Sequence, residues 1–231
     1  HRDLHQDVHS FLHDALPISV MAVVFSALFK ADLQTFALFL FAGMIPWNFF
    51  SSVVTQSGTA FINNEGLIKK IYIPKALFPL SIASALLIDS LFSFIALFAI
   101  IIALGGTISW ALLFLPVSYA LLFVFAMGFG MIMSVATVFF RDLQYVMAIA
   151  MQALFFLTPI LYKPDALAGR TKWLIEINPV TPFIALFRAP LIDASLPSSD
   201  AILQATMIAV ITIIVGLTFF LRQEKKVVFR L

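Results

Sequence analysis

Long apolar runs separated by short charged islands dominate this chain. Residues 35–61, 76–104, 110–140, 143–161 and 201–221 each carry few or no charges over a length that crosses a bilayer, since about 20 residues at about 1.5 Å rise cover the hydrocarbon core. Residues 20–29 read as the surviving end of one further run. Continuous apolarity predicts helices, because a membrane barrel shows short segments of alternating polarity instead. The expected fold is therefore all-α, a polytopic integral membrane protein with six transmembrane helices, the first of them partial. Residues 163–200 are too apolar for a plain loop, and 173–177 and 182–192 predict short re-entrant helices between spans five and six. Irregular backbone at that depth survives only when buried in protein or lining a cavity, which makes the segment a candidate pore mouth.

Composition agrees. Hydrophobic residues make up 62% and charged residues 11% of the chain, far from the roughly 25% charged residues of soluble domains. Cysteine is absent, so disulfides, thiolate metal sites and cysteine nucleophiles are excluded.

The first 18 residues hold all four histidines, His1, His5, His9 and His13, at a spacing that would stack them on one helical face. A possible back-translation argues against a metal site. Residues 12–18 back-translate as CTA CAC GAC GCT CTT CCG ATC and residues 1–5 as CAC CGA GAT CTA CAC, both pieces of a common sequencing adapter. Residues 1–18 are thus expected to be translated adapter, with the genuine protein beginning near Ser19 and already truncated. Resequencing the locus tests this expectation.

The islands orient the runs, because Lys and Arg in short loops stay on the cytoplasmic side. Lys69, Lys70 and Lys75, then Arg141 beside Asp142, then Arg222, Lys225, Lys226 and Arg230 all fall on one side, whereas residues 105–109 opposite carry no charge. The expected location is a membrane crossed several times, with a cytoplasmic C-terminus. Residues 163–200 then lie outside, with Lys163, Arg170, Lys172 and Arg188 against Asp165, Glu176, Asp193 and Asp200.

Little in these runs suggests catalysis. No glycine precedes a lysine, so the phosphate loop that cradles ATP is missing and any nucleotide energy has to come from a partner. Asp89 is the one acid deep within a span, where an ionised carboxylate costs about 2.5 to 3.5 kcal/mol; with Ser93 one turn on, it reads first as an interhelical polar contact. No catalytic, cofactor-binding or metal-binding residue is expected. Among 26 phenylalanines most are packing or lipid-facing residues. Aromatic rings also offer weak, tolerant contacts to a moving sugar polymer, and Phe25, Phe29, Phe36, Trp47, Phe155 and Phe156 on spans one, two and five are the channel-lining candidates.

The run Gly43-Met-Ile-Pro-Trp47-Asn-Phe-Phe50, the island Asn63-Asn-Glu-Gly-Leu-Ile-Lys-Lys-Ile-Tyr-Ile-Pro-Lys75 and Phe78-Pro-Leu80 resemble the ABC-2 type permeases of bacterial polysaccharide exporters. Phe139-Phe-Arg-Asp-Leu143, Thr158-Pro-Ile-Leu-Tyr162, and Asn178-Pro-Val-Thr-Pro182 with Phe187-Arg188 are similar to the same family's later landmarks, in the same order. The resemblance implies a permease homodimer docked to two ATP-binding cassette subunits, which hold ATP and Mg while this chain holds no cofactor. It implies a lipid-linked glycan as substrate, membrane lipid as surroundings and no nucleic acid. It further implies coupling to the ATPase through Glu65, Lys69, Lys70, Tyr72, Pro74, Lys75, Arg141 and Asp142, and an extracytoplasmic gate containing Asn178, Pro179, Pro182 and Arg188. An ABC-2 permease for a drug or small amphiphile is the alternative within transport. A membrane-embedded glycan-pathway enzyme is the alternative of another class, and Asp165, Glu176, Asp193 and Asp200 would be its available outer acids.

Overall fold

The computed structural model describes residues 20, 24, 33–103, 109–162, 169, 173, 175, 177–227 and 230. Helices account for nearly all of them: α1 (Leu33–Gly58), α2 (Ala60–Asn63), α3 (Glu65–Lys70), α4 (Leu77–Ala103), a 3-10 turn (Trp110–Phe114), α5 (Leu115–Phe139), α6 (Leu143–Leu157), α7 (Thr181–Leu191) and α8 (Ser199–Val227). There is no strand among the described residues, as continuous apolarity requires. Among the described residues four helices are long and apolar enough to cross a membrane, Thr35–Gly58, Leu77–Ala99, Trp110–Phe139 and Ser199–Val227. Val20 and Val24 are helical, while the rest of the expected first span and the head at 1–18 lie outside the described residues.

The fifth expected span is shorter than its apolar run. Helix α6 stops at Leu157, about 22 Å of helix against about 30 Å of hydrocarbon. The cause is local: a residue before proline is pushed out of the helical region, and Thr158, preceding Pro159, has ψ 134°. Helix α8 instead outruns its apolar core. Residues 222–226 are mostly strong helix formers, and Lys225 and Lys226 in the last turn complement the helix dipole.

Helix α5 is the central element, packed against α1 on one side and most extensively against α8 on the other. The α5–α8 crossing is made backbone to backbone. A Cβ at Gly216 would lie 2.3 Å from the Gly128 carbonyl oxygen, and one at Gly128 would lie 2.6 Å from that of Thr212. Ala205, Ala209 and Gly216 are buried on that face of α8, a spacing of small residues that lets membrane helices approach closely. The α1–α5–α7 contact is aromatic instead: Phe50 stacks on Phe125 at 4.8 Å and Phe125 on Phe183 at 4.5 Å. Such offset pairs contribute about 0.5 to 1.5 kcal/mol beyond the area they bury.

The charged islands collect at one end of the bundle. Phe61 of α2 meets Phe220 near the end of α8 at 6.1 Å, and Arg141 lies near enough to act on Glu65. At the opposite end the Ser109 hydroxyl donates to the Ala194 carbonyl at 2.9 Å, joining the start of the 3-10 turn to the residues after α7. Trp110 beside it is 88% exposed, as an interfacial anchor is.

Candidate functional site: two polar ends joined by α6

At the island end, α3 is a six-residue helix with no buried residue. Its start is marked by Glu65 and its last turn by Lys69 and Lys70, the order that suits the dipole. Lys69 Nζ donates to Glu65 Oε1 at 2.5 Å across one turn. That hydrogen bond and the Lys69 charge, helped by Arg141, hold the Glu65 carboxyl below the usual carboxylate range. Extended backbone at Ile71 ends the helix, and Pro74 follows. Ile68 and Ile73 turn toward the core; Leu67, Ile71 and Tyr72 face outward, Tyr72 at 96% exposure. Arg141 and Asp142, between α5 and α6, are exposed, with Phe140 beside them exposed as well. The implied coupling residues are therefore gathered at one end, with Glu65 and Arg141 electrostatically linked. What they present is charge interleaved with exposed aromatic and aliphatic surface.

At the opposite end, three sequence landmarks far apart in the chain converge. Thr158 donates to the Leu154 carbonyl at 2.7 Å and accepts from Asn178 Nδ2 at 2.9 Å. Asn178 Oδ1 in turn accepts from the Val180 amide at 2.9 Å, the side-chain turn that launches α7. Thr181 donates to the Ile175 carbonyl, and Pro182 occupies the first turn of α7, where its missing N–H costs nothing. Tyr162 donates to the Phe156 and Leu157 carbonyls, satisfying the open end of α6.

Arg188 lies at the centre of this arrangement and is 9% exposed. Its Nη1 donates to the Pro159 carbonyl, its Nη2 to the Ile160 carbonyl at 2.7 Å and, more weakly, to the Phe39 carbonyl at 3.4 Å. The guanidinium carbon sits 3.6 Å from the Phe39 ring centroid. Gly43, one turn after Phe39 on α1, makes the room: a Cβ there would be 2.9 Å from Arg188 Nη2. Among the described residues no carboxylate pairs with Arg188, and its Nε finds no partner. Thus Asn178 and Arg188 of the expected gate meet the Thr158–Tyr162 landmark, with Pro179 and Pro182 shaping the turn between them. Phe39 and the role of Gly43 were not foreseen. The available signal was a glycine four residues from an aromatic on an otherwise bulky helix, which marks a place where something approaches closely.

The aromatic candidates separate. Trp47 and Phe36 are buried within the subunit at 5% and 8% exposure. Trp47 meets Phe155 of α6 at 5.7 Å, Phe155 meets Phe156 at 5.4 Å, and Phe156 is 61% exposed. Phe25 and Phe29 lie outside the described residues. Asp89 is on the outward side of α4, where Ser93 donates to its backbone carbonyl at 3.1 Å. No group of acidic residues able to hold a metal occurs among the described residues.

The described residues form an all-helical, multi-pass membrane bundle with a charged surface at one end and a polar turn at the other. The chain belongs to the ABC-2 type transporter family, which it matches over residues 9–192. It is 30% identical to an O-antigen export system permease protein of Klebsiella pneumoniae over 167 residues, covering 71% of this chain and 64% of that protein's length. Against an O-antigen export system permease protein of Myxococcus xanthus the identity is 23%, covering 87% of this chain and 78% of that protein. The polysialic acid transport protein of Escherichia coli is 25% identical, with coverage of 83% and 74%.

Proposed function

We propose that this chain is the permease subunit of an ATP-driven exporter that moves a lipid-linked polysaccharide across the bacterial cytoplasmic membrane. The observation that carries the reading is the similarity, over most of the chain, to O-antigen export system permease proteins and to a polysialic acid transport protein. Two permeases pair, and two separate ATP-binding subunits supply ATP and Mg. The patch formed by Glu65, Lys69, Lys70, Tyr72, Pro74 and Lys75 with Arg141 and Asp142 is the surface on which each ATP-binding subunit pushes. Support comes from its exposure and from the basic residues gathered at that end, which the positive-inside rule assigns to the cytoplasm together with the C-terminus. Short rigid segments of this kind transmit rigid-body motion into spans. Phe155 and Phe156 offer rings to a passing glycan from α6.

The test is reconstitution of the full-length permease with its ATP-binding subunit in a strain lacking both, followed by surface glycan. ATP-dependent appearance of glycan is the expected result. Export of a small amphiphile with no effect on surface glycan would replace the substrate assignment.

A further inference from the structure

The structure assigns to Arg188 the task of a positioning residue that pins the outer end of α6 to α1 and α7, so that α6 works as a lever between the two polar ends. The inference rests on the coupling role proposed above for the residues around Glu65 and Arg141. Three observations support it.

First, α6 is held weakly along its length. Met151 is its only buried residue, and its packing is mostly against α1 through the Trp47–Phe155 contact. Secondly, it is held firmly at the outer end. Asn178 bonds Thr158, and Arg188 binds the two carbonyls just past the helix terminus, Pro159 and Ile160, where the partial negative charge of the α6 dipole helps to balance the buried cation. Thirdly, its inner end begins immediately after Arg141 and Asp142, the pair beside α3. A rod of about 22 Å gripped at its outer end, loosely packed along its length and starting beside the charged island transmits displacement from one end to the other.

Arginine suits the task and lysine does not. The guanidinium fork reaches carbonyls on two separate elements, the α6 turn and α1, while its face lies on Phe39. An ammonium retains the charge but cannot hold all of these together. Among the described residues no carboxylate pairs with Arg188, and Asp193 acts on it only at longer range, so the pin consists of main-chain dipoles and one ring. Such a pin reads backbone position directly: if α6 tilts, the carbonyls leave the fork.

The chain has no native cysteine, so spin labels can be placed cleanly. Label pairs at Gln152→Cys on α6 and Ser195→Cys beyond α7, both exposed and outside the sites described, report the α6–α7 separation in the full-length permease bound to its ATP-binding subunit. Arg188→Met is expected to broaden or shift that distance distribution. It should also lower glycan export by about tenfold while ATP hydrolysis stays within about twofold, the scale on which residues along a coupling path act. Arg188→Lys, which keeps the charge and guards against a misfolded Met variant, is expected to fall between Met and wild type in both readouts. An unchanged distance distribution in a folded Met or Lys variant overturns the pin, whether or not the substrate is a glycan. Export and hydrolysis falling in the same proportion would mean simple structural damage and would equally overturn the lever. A wild-type complex that shows the distance response without moving glycan leaves the lever standing and removes only the substrate assignment.

Discussion

The crossing of α5 over α8 at Gly128 and Gly216 is tight enough for its replacement by alanine to be worked out. A Cβ on Gly216 meets the Gly128 carbonyl oxygen at 2.3 Å and the Gly128 Cα and carbonyl carbon at 2.9 Å, all backbone atoms that cannot rotate away. A comfortable carbon–oxygen contact needs about 3.3 Å, so the helices must retreat by roughly 1 Å. Overpacking of that kind costs about 1 to 3 kcal/mol. Alanine recovers about 1 kcal/mol over glycine within a helix. Gly216→Ala is therefore expected to destabilise by about 1 kcal/mol, and Gly216→Val by about 3 kcal/mol, since valine adds bulk and recovers less propensity. The double variant is more telling. The Cβ at Gly128 strikes Thr212 backbone across the same crossing, so the retreat forced by one alanine partly accommodates the other. Gly128→Ala with Gly216→Ala is expected to cost less than the two separate losses together, by more than the roughly 0.3 to 0.5 kcal/mol within which independent sites add. Reversible denaturation in mixed detergent micelles, followed by tryptophan fluorescence, measures all four corners of the cycle. Strict additivity, or stabilisation by both single alanines, would refute the claim that backbone contact sets this crossing.

The turn between α6 and α7 gives a second expectation: Thr158→Val removes both the acceptor for Asn178 and the donor to Leu154, and is expected to cost about 1 to 3 kcal/mol in the same assay. Asn178→Ala leaves the Val180 amide without its acceptor and is expected to loosen the start of α7, seen as faster amide exchange there while α8 is unaffected. At the island end, Lys69→Glu with Lys70→Glu is expected to abolish co-purification with the ATP-binding subunit while the permease still inserts; intact assembly and export would remove the coupling assignment. Glu65 has a lowered folded-state pKa, so its contribution to α3 is present above the ordinary carboxylate range and fades as pH falls through the lowered value. Because the carboxylate faces solvent, Glu65→Gln is expected to leave the global unfolding transition in place and to alter only local exchange in α3.

How far the primary sequence announced these features depends on the distance over which each cause acts. Apolar run length is a property of consecutive residues, so α1, α4, α5 and α8 were legible to within a few positions at most ends. The early stop of α6 was legible in principle as well, because the rule about residues before proline concerns Thr158 and Pro159 alone. Island charge also adds along the chain, which is why Lys69, Arg141 and the tail were assignable to one side before any contact was known. The grip of Arg188 on Pro159 and Ile160 was not legible, because neither carbonyl has a side-chain identity to betray it and the partners are 28 and 29 residues away. The same holds for the α5–α8 crossing, where Gly128 and Gly216 are 88 positions apart and only the small-residue spacing on α8 hinted at a close approach. Side-chain chemistry thus marks where the two polar ends of the bundle are, whereas Gly43, Gly128 and Gly216 set how closely the elements between them approach. At each of the three a methyl group would meet a neighbour at less than 3 Å, so the small residue is required there by space alone.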